Sequence, residues 1–293
     1  MTKELKADLS LLGVTVFWGA SFPIMSVALK DISPYSYIAI RYTLGALILA
    51  AIFYKSFKDI NKNTIKAATL IGLTLLAGTI FQVVGITYTT PSKSGFITGL
   101  NAVFVPIILA LLFKQLPDLK TIIGIILSVL GLGIMSINMN MGINFGDFLT
   151  LIGAIFFSVQ IILVDKYGKD IDSRLLTILE LLVVGIFSFI PAIGIEKLNI
   201  TFNVITISAI LFTAVFCTAV AMWVQNEMQP YTNPTHAAII YLAEPVFGAI
   251  FSTLIGDKLT GKTLIGCILI LVGTLVISVK IDFKKSKIEE SFE

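Results

Sequence analysis

The sequence predicts an all-α integral membrane protein, with ten transmembrane helices arranged as two inverted five-helix repeats. Three observations carry this prediction. Of the 293 residues, 56% are hydrophobic and only 13% charged, with a mean hydropathy of +0.95, whereas a soluble domain carries about 25% charged residues. Ten apolar runs follow one another, at 8–29, 34–54, 65–88, 92–113, 119–137, 147–165, 174–194, 204–226, 234–255 and 263–280. Each is near the roughly 20 residues that cross a bilayer core. Finally, residues of the first half recur at a nearly constant offset in the second.

Taken in order, the first run has no small-x-small cleavage site behind it and reads as a retained span rather than a signal peptide. The second carries Arg41. The third places Thr74, Gly78 and Gln82 at i, i+4 and i+8, one helix face. The fourth opens at Pro91 and aligns Ser94, Thr98, Asn101 and Val105 on one face. The fifth opens at Lys120 and Thr121, and segment 138–146, rich in Asn and Gly, forms the joint between halves. The sixth begins at Asp147 and holds Phe157 and Gln160, at positions equivalent to Trp18 and Ser21 of the first. The seventh holds Glu180. The eighth carries Cys217, Ala221 and Gln225. The ninth opens at Pro234 and presents Ala237, Tyr241, Glu244 and Gly248, and the tenth opens at Lys262 and Thr263. The longest connections, 55–64 and 195–203, hold about ten residues each, as in a compact bundle. Cys217 and Cys267 lie inside apolar runs and read as small core residues.

The repeat is legible residue by residue. Gln82, Tyr88, Thr89 and Pro91 match Gln225, Tyr231, Thr232 and Pro234 at an offset of 143. Lys120, Thr121, Ile123, Gly124, Gly131 and Ser136 match Lys262, Thr263, Ile265, Gly266, Gly273 and Ser278 at 142, and Asp8 matches Asp147 at 139. This divides the chain into repeats 1–142 and 143–293. Five is odd, so the second copy crosses in the opposite sense, as in many secondary transporters whose substrate site lies near the midplane between the copies. With the N-terminus inside, fifteen of the 21 Lys and Arg fall on the inner side and five on the outer, Arg41 lying within a span. That bias predicts a multi-pass protein of the cell membrane with both termini cytoplasmic.

Ten spans leave about 90 residues for everything else, too few for a soluble catalytic or ATP-hydrolysing domain of typical size. A net charge of +3 is too balanced to indicate nucleic acid. Gly256 to Thr263 satisfies the phosphate-loop pattern G-x4-G-K-[ST], but it joins two apolar helices on the outer side instead of following a strand, so the match is set aside. No cofactor is expected, and one His without a companion cluster makes no metal site.

The residues Phe17-Trp18-Gly19-Ala20-Ser21-Phe22, Arg41-Tyr42, the stretch from Tyr88 to Gly95, Glu244-Pro245-Val246-Phe247 and the loop Gly256 to Thr260 occur in an order and spacing that resembles the EamA-like branch of the drug/metabolite transporter superfamily. The resemblance spans about residues 8–280. It departs at Asp257, where the family often has Glu, and at Lys114-Gln115-Leu116-Pro117. It implies ten helices in two inverted repeats and export of small metabolites or drugs.

The candidate substrate-binding residues are Trp18, Ser21, Arg41, Gln82, Asn101, Gln160, Glu180, Gln225, Tyr241 and Glu244. Glu244 lies ten residues after Pro234, about 15 Å deep by the helical rise, and Pro245 removes a backbone donor that would bond the carbonyl of Tyr241. An ionisable group there binds a proton, a cation or a substrate amine, or else it is a structural hydrogen bonder across helices. Arg41 and Glu180 are equivalent at 139 with opposite charge; they line opposite vestibules, or Arg41 pairs locally with backbone carbonyls. The aromatic pair Trp18 and Phe157 either stacks on a ligand or fills the bundle. Lys93 and His236, equivalent at 143, read as polar groups at helix mouths, and Gly95 and Gly99 as packing residues. The expected partners are a small-molecule substrate, amino acid-like or drug-like, and the lipid bilayer. Protons as coupling ion and a second copy of the chain are further candidates. A membrane-embedded enzyme and a channel-like or structural membrane subunit stay open as alternatives.

Overall fold

The computed structural model describes residues 2–136, 144–201, 203–254 and 260–278. Most of the proposed joint 138–146, residues 255–259 of the phosphate-loop look-alike and the basic C-terminal tail therefore lie outside the described residues. Thirteen α-helices are described: α1 Lys3–Ala28, α2 Pro34–Ile52, α3 Lys62–Ile86, α4 Pro91–Gly99, α5 Asn101–Phe113, α6 Leu119–Ser136, α7 Phe145–Gly168, α8 Ser173–Gly194, α9 Val204–Phe212, α10 Ala221–Met228, α11 Pro234–Tyr241, α12 Glu244–Leu254 and α13 Gly261–Ser278. A π-helical stretch, Thr213–Val220, joins α9 to α10. No strand is present among the described residues.

Local chemistry sets the helix ends. The side chains of Thr2, Asn61, Thr90, Asn144, Asp172, Asn203 and Asn233 each cap a helix N-terminus, satisfying backbone donors that have no intrahelical partner. Pro34, Pro91 and Pro234 open α2, α4 and α11, where a missing N–H costs nothing. Lys114 ends α5 in the left-handed region at φ 57°.

Among the described residues, eight helical spans are long and apolar enough to cross a membrane: Lys3–Ala28, Pro34–Ile52, Lys62–Ile86, Lys93–Phe113, Phe145–Gly168, Ser173–Gly194, Val204–Tyr231 and Pro234–Phe251. The apolar helices Leu119–Ile134 and Gly261–Ile277 are shorter than the rest. Large apolar side chains stand exposed along α6, α8 and α13, among them Ile126, Leu130, Ile190, Ile193, Ile268 and Leu275. A surface of that kind belongs against lipid tails rather than water.

Besides the π-helical stretch in the eighth span, two further spans are not uniform among the described residues. Leu100 interrupts the fourth between α4 and α5, its N–H bonding to Ile97 at i−3. Leu242 and Ala243 interrupt the ninth in the same way, bonding to Ile239 and Ile240. Pro245 accounts for that interruption, since it cannot donate to Tyr241 and its ring crowds that carbonyl. The interruptions put Asn101 and Glu244, which the 143 offset relates, at the first positions of α5 and α12.

Helices pack in long partnerships: α2 against α8, α3 against α7, α6 against α13, and α1 against α12. Small residues permit the approach. A Cβ on Gly19 would lie 2.7 Å from the carbonyl oxygen of Glu244 and 2.8 Å from the Gly248 nitrogen, and one on Gly153 would lie 3.0 Å from the Gly78 oxygen. Such close backbone contact replaces, in a bilayer, the hydrophobic drive that joins helices in water. The largest apolar cluster gathers Tyr37, Ile38, Ile178, Leu181, Val184 and Met222, and a second joins Leu11, Val105, Ile161 and Ile240.

Candidate functional site

A cavity of about 80 Å³ lies at the centre of the bundle. Its wall takes Trp18 and Ser21 from α1, Arg41 and Tyr42 from α2, Leu75, Thr79 and Gln82 from α3, Thr98 from α4 and Asn101 from α5. Phe157, Gln160 and Ile161 come from α7, Cys217 from the π-helical stretch, Met222 and Gln225 from α10, Tyr241 from α11 and Glu244 from α12. Nine of the ten residues predicted to bind substrate are thus brought together. Six offset-related pairs face the same space: Trp18 with Phe157, Ser21 with Gln160, Thr79 with Met222, Gln82 with Gln225, Thr98 with Tyr241 and Asn101 with Glu244.

Most polar wall residues are held by hydrogen bonds, some to groups behind the wall and some to one another. Arg41 donates from Nε to Thr218 Oγ1 at 2.7 Å and from Nη2 to the Cys217 carbonyl at 3.4 Å, and its guanidinium lies 5.4 Å from the centre of the Tyr42 ring and 5.8 Å from that of Tyr37. A buried cation is stabilised by such ring faces and by oriented acceptors. The Trp18 indole donates to the same Cys217 carbonyl at 3.1 Å and meets Tyr241 edge-on at 5.2 Å between centroids. Gln82 donates to Thr98 Oγ1 at 2.9 Å, and Tyr42 and Thr79 share a hydroxyl hydrogen bond at 3.1 Å.

An amide chain runs from the wall residues Gln160 and Gln225 to Gln229 behind them. Gln160 and Gln225 bond each other reciprocally at 3.5 and 3.4 Å, Gln225 donates to Gln229 Oε1 at 3.0 Å, and the Tyr241 hydroxyl donates to the same oxygen at 3.0 Å. Gln229 then donates to the Ile161 carbonyl at 2.7 Å. Asn101 is buried, yet its Oδ1 finds no hydrogen-bond donor among the described residues. A buried acceptor without a partner costs free energy until water or a ligand supplies a donor.

The structure departs from the sequence expectation at several residues. Glu180 does not line the cavity. It is fully buried behind the wall, where Asn226 donates to its Oε1 at 2.7 Å and to Thr177 Oγ1 at 2.9 Å. Arg41 and Glu180 form no ion pair. On α3 the cavity face is Leu75, Thr79 and Gln82, at i, i+4 and i+7, while Thr74 bonds its hydroxyl back to the carbonyls of Leu70 and Ile71. Gly78 accommodates the Phe157 ring, whose nearest atoms would lie 2.8 Å from an added Cβ. On α10 Met222, rather than Ala221, reaches the space. Gln229, Tyr42 and Thr79 were missed as site residues. Tyr42 stood in the sequence beside Arg41 as a signal; Gln229 sits in the Gln225-to-Tyr231 stretch, but its counterpart Ile86 is apolar and the repeat gave no cue.

The polar residues at the helix mouths are paired. Lys93 Nζ bonds Asp147 Oδ2, and Thr89 donates to Asp147 Oδ1 at 2.6 Å. His236 Nε2 lies 3.7 Å from Asp8 Oδ2, and Thr232 Oγ1 lies 3.0 Å from His236 Nδ1. Gly99 packs as expected, a Cβ there meeting Leu242 at 3.0 Å and Leu132 at 3.2 Å.

Comparisons with known proteins agree with this architecture. A curated protein of Archaeoglobus fulgidus described as an uncharacterized transporter is 33% identical over 282 residues, covering 95% of this chain and 88% of its own length. The uncharacterized transporter YyaM of Bacillus subtilis is 24% identical over 301 residues, covering 98% of each. A solved crystal structure superposes with a TM-score of 0.76 at 14% identity, over 93% of this chain and 96% of that one, which shows a common fold. The sequence profile of the EamA-like transporter family matches residues 5–137 and again 144–279, so the chain belongs to the EamA-like transporter family and is a multi-pass membrane transporter.

Proposed function

We propose that the protein is a secondary transporter that exports a small metabolite by alternating access of two inverted five-helix repeats, 1–142 and 143–293, around the central cavity. The observation that carries this reading is the cavity wall itself, to which both members of six offset-related pairs contribute. The shorter helices α6 and α13 complete ten spans, and their mutual packing supports their role as the matching fifth helix of each repeat. Both termini face the cytoplasm on the Lys/Arg bias.

Arg41 and Glu244 on one wall favour a substrate with an anionic and a cationic group, which is amino acid-like. Trp18, Tyr42, Phe157 and Tyr241 add apolar faces, and the open acceptor of Asn101 adds one site for a donor. At about 80 Å³ the cavity is below the roughly 300–1,000 Å³ of sites that hold drug-sized ligands. On this reading a substrate is loaded only when one face opens and widens the cavity.

Counterflow in proteoliposomes tests the proposal. Vesicles preloaded with one of a panel of amino acids and other metabolites should accumulate the labelled compound transiently, and unlabelled compound should saturate the process. Flux that rises linearly with concentration for every compound would replace the carrier with a channel.

A further inference from the structure

The two polar pairs at the helix mouths are related by the same offsets as the cavity wall. Lys93 and His236 differ by 143, Thr89 and Thr232 by 143, and Asp8 and Asp147 by 139. Each aspartate meets the basic residue of the other half: Asp147 of α7 binds Lys93 of α4, and Asp8 of α1 faces His236 of α11. All four side chains are largely shielded, at 17% and 8% exposure for Lys93 and Asp147 and 6% and 7% for His236 and Asp8. Thr89 and Asn144 also converge on Asp147, whose Oδ2 accepts from the Asn144 backbone at 3.0 Å. On the other side Thr232 braces the imidazole. These contacts tie the start of the fourth span of one half to the first span of the other, twice, at opposite ends of the bundle. The central cavity lies between them.

We infer that Lys93–Asp147 and His236–Asp8 are the two gate latches of the transporter, each holding one face shut while the other opens. The inference rests on the carrier reading above. Interhalf contacts at a face must break when that face opens, and a shielded polar contact between two rigid helix ends is the kind of two-state element that such a transition needs. Both latches are closed here, in keeping with the small central space. The alternative is that each pair only caps and packs helix ends.

Cys217 provides a native reporter. It lines the cavity, and its thiol is buried, donating to the Phe17 carbonyl at 3.1 Å. In the full chain carrying Cys267→Ala, its reaction with a charged, membrane-impermeant methanethiosulfonate is measured from each side of sealed vesicles. Lys93→Gln should raise the rate from one side by about tenfold, the response to roughly 1.4 kcal/mol of lost latch. His236→Gln should raise it from the opposite side only. Asp147→Asn and Asp8→Asn should reproduce the two effects. If Asp147→Asn fails to fold because it also loses its capping role, Lys93→Gln still decides the matter, since it leaves that cap in place. Equal rates for all variants, or increases from the same side for both pairs, would overturn the latches. Counterflow is recorded on the same vesicles: intact counterflow without sidedness leaves the carrier and removes the latches. Sidedness without saturable counterflow shows that each pair closes one face but removes the carrier, and with it the alternation assigned to the latches.

Discussion

Glu244 and Arg41 concentrate the chemistry of the site, because ionisable groups are costly at membrane depth unless they face a cavity or a partner. Glu244 begins α12 at the interruption that Pro245 creates, and it faces the cavity that Arg41 enters from α2. Glu244→Gln keeps the size and a hydrogen-bonding end but removes titration. If the residue couples transport to protons, gradient-driven transport should vanish while energy-independent exchange survives. If it binds a substrate amine, both should fall, and affinity should drop for amine-bearing compounds alone. Unchanged transport and affinity in a well-folded variant would return Glu244 to a structural role. For Arg41→Lys we expect at least a tenfold loss of affinity for anionic substrates. An ammonium cannot reproduce the guanidinium's simultaneous bonds to Thr218 and the Cys217 carbonyl or its contacts with the Tyr37 and Tyr42 rings. Equal affinities of variant and parent would show that Arg41 does not face the ligand.

Among the elements, the α1–α12 contact is the closely packed one that positions Glu244. Gly19 lets α1 approach the backbone that carries Glu244, and a methyl group there would meet Glu244, Phe247 and Gly248 below 3 Å. Gly19→Ala should therefore force the helices apart at a cost of about 1–3 kcal/mol, lower the melting temperature and displace Glu244. A variant with parental stability and transport would show that α1 and α12 yield freely at this point. The interruptions at Leu100 and at Leu242–Ala243 were only half legible. Pro245 signalled a freed Tyr241 carbonyl at the second, whereas in the fourth span Pro106 lies six residues beyond the break and Thr98, Gly99 and Asn101 beside Leu100 read as a polar stripe and a packing residue rather than as a break.

The whole molecule is organised by its charge asymmetry and its duplication. If both termini are inside, as proposed from the Lys/Arg bias, an impermeant thiol reagent applied from outside should label a cysteine at Gly142 and miss one at Asn61; the reverse pattern would invert the topology. Lys262→Ala should leave transport largely intact and cause no change in nucleotide binding. A nucleotide-dependent signal lost on this change would reinstate the phosphate-loop reading.

The sequence by itself determined the helical membrane class, the positions of the apolar runs to within a few residues, the family and most of the residues that meet at the centre. These features depend on composition, on proline and capping residues and on the repeat offset, all of which are properties of the chain in one dimension. Tertiary structure decided which face of each helix turns inward. On α3 it selected Leu75 and Thr79 over Thr74 and Gly78, because the Phe157 ring occupies the glycine notch. It also sent Glu180 behind the wall to Asn226, although its partner in the repeat, Arg41, reaches the cavity. In an apolar span the hydrophobic pattern contrasts weakly around the helix, so orientation is set by steric fit and hydrogen bonding between helices. That is also why the sequence could place Lys93, His236, Asp8 and Asp147 at helix mouths, while only the folded chain brought each aspartate to the basic residue of the opposite half.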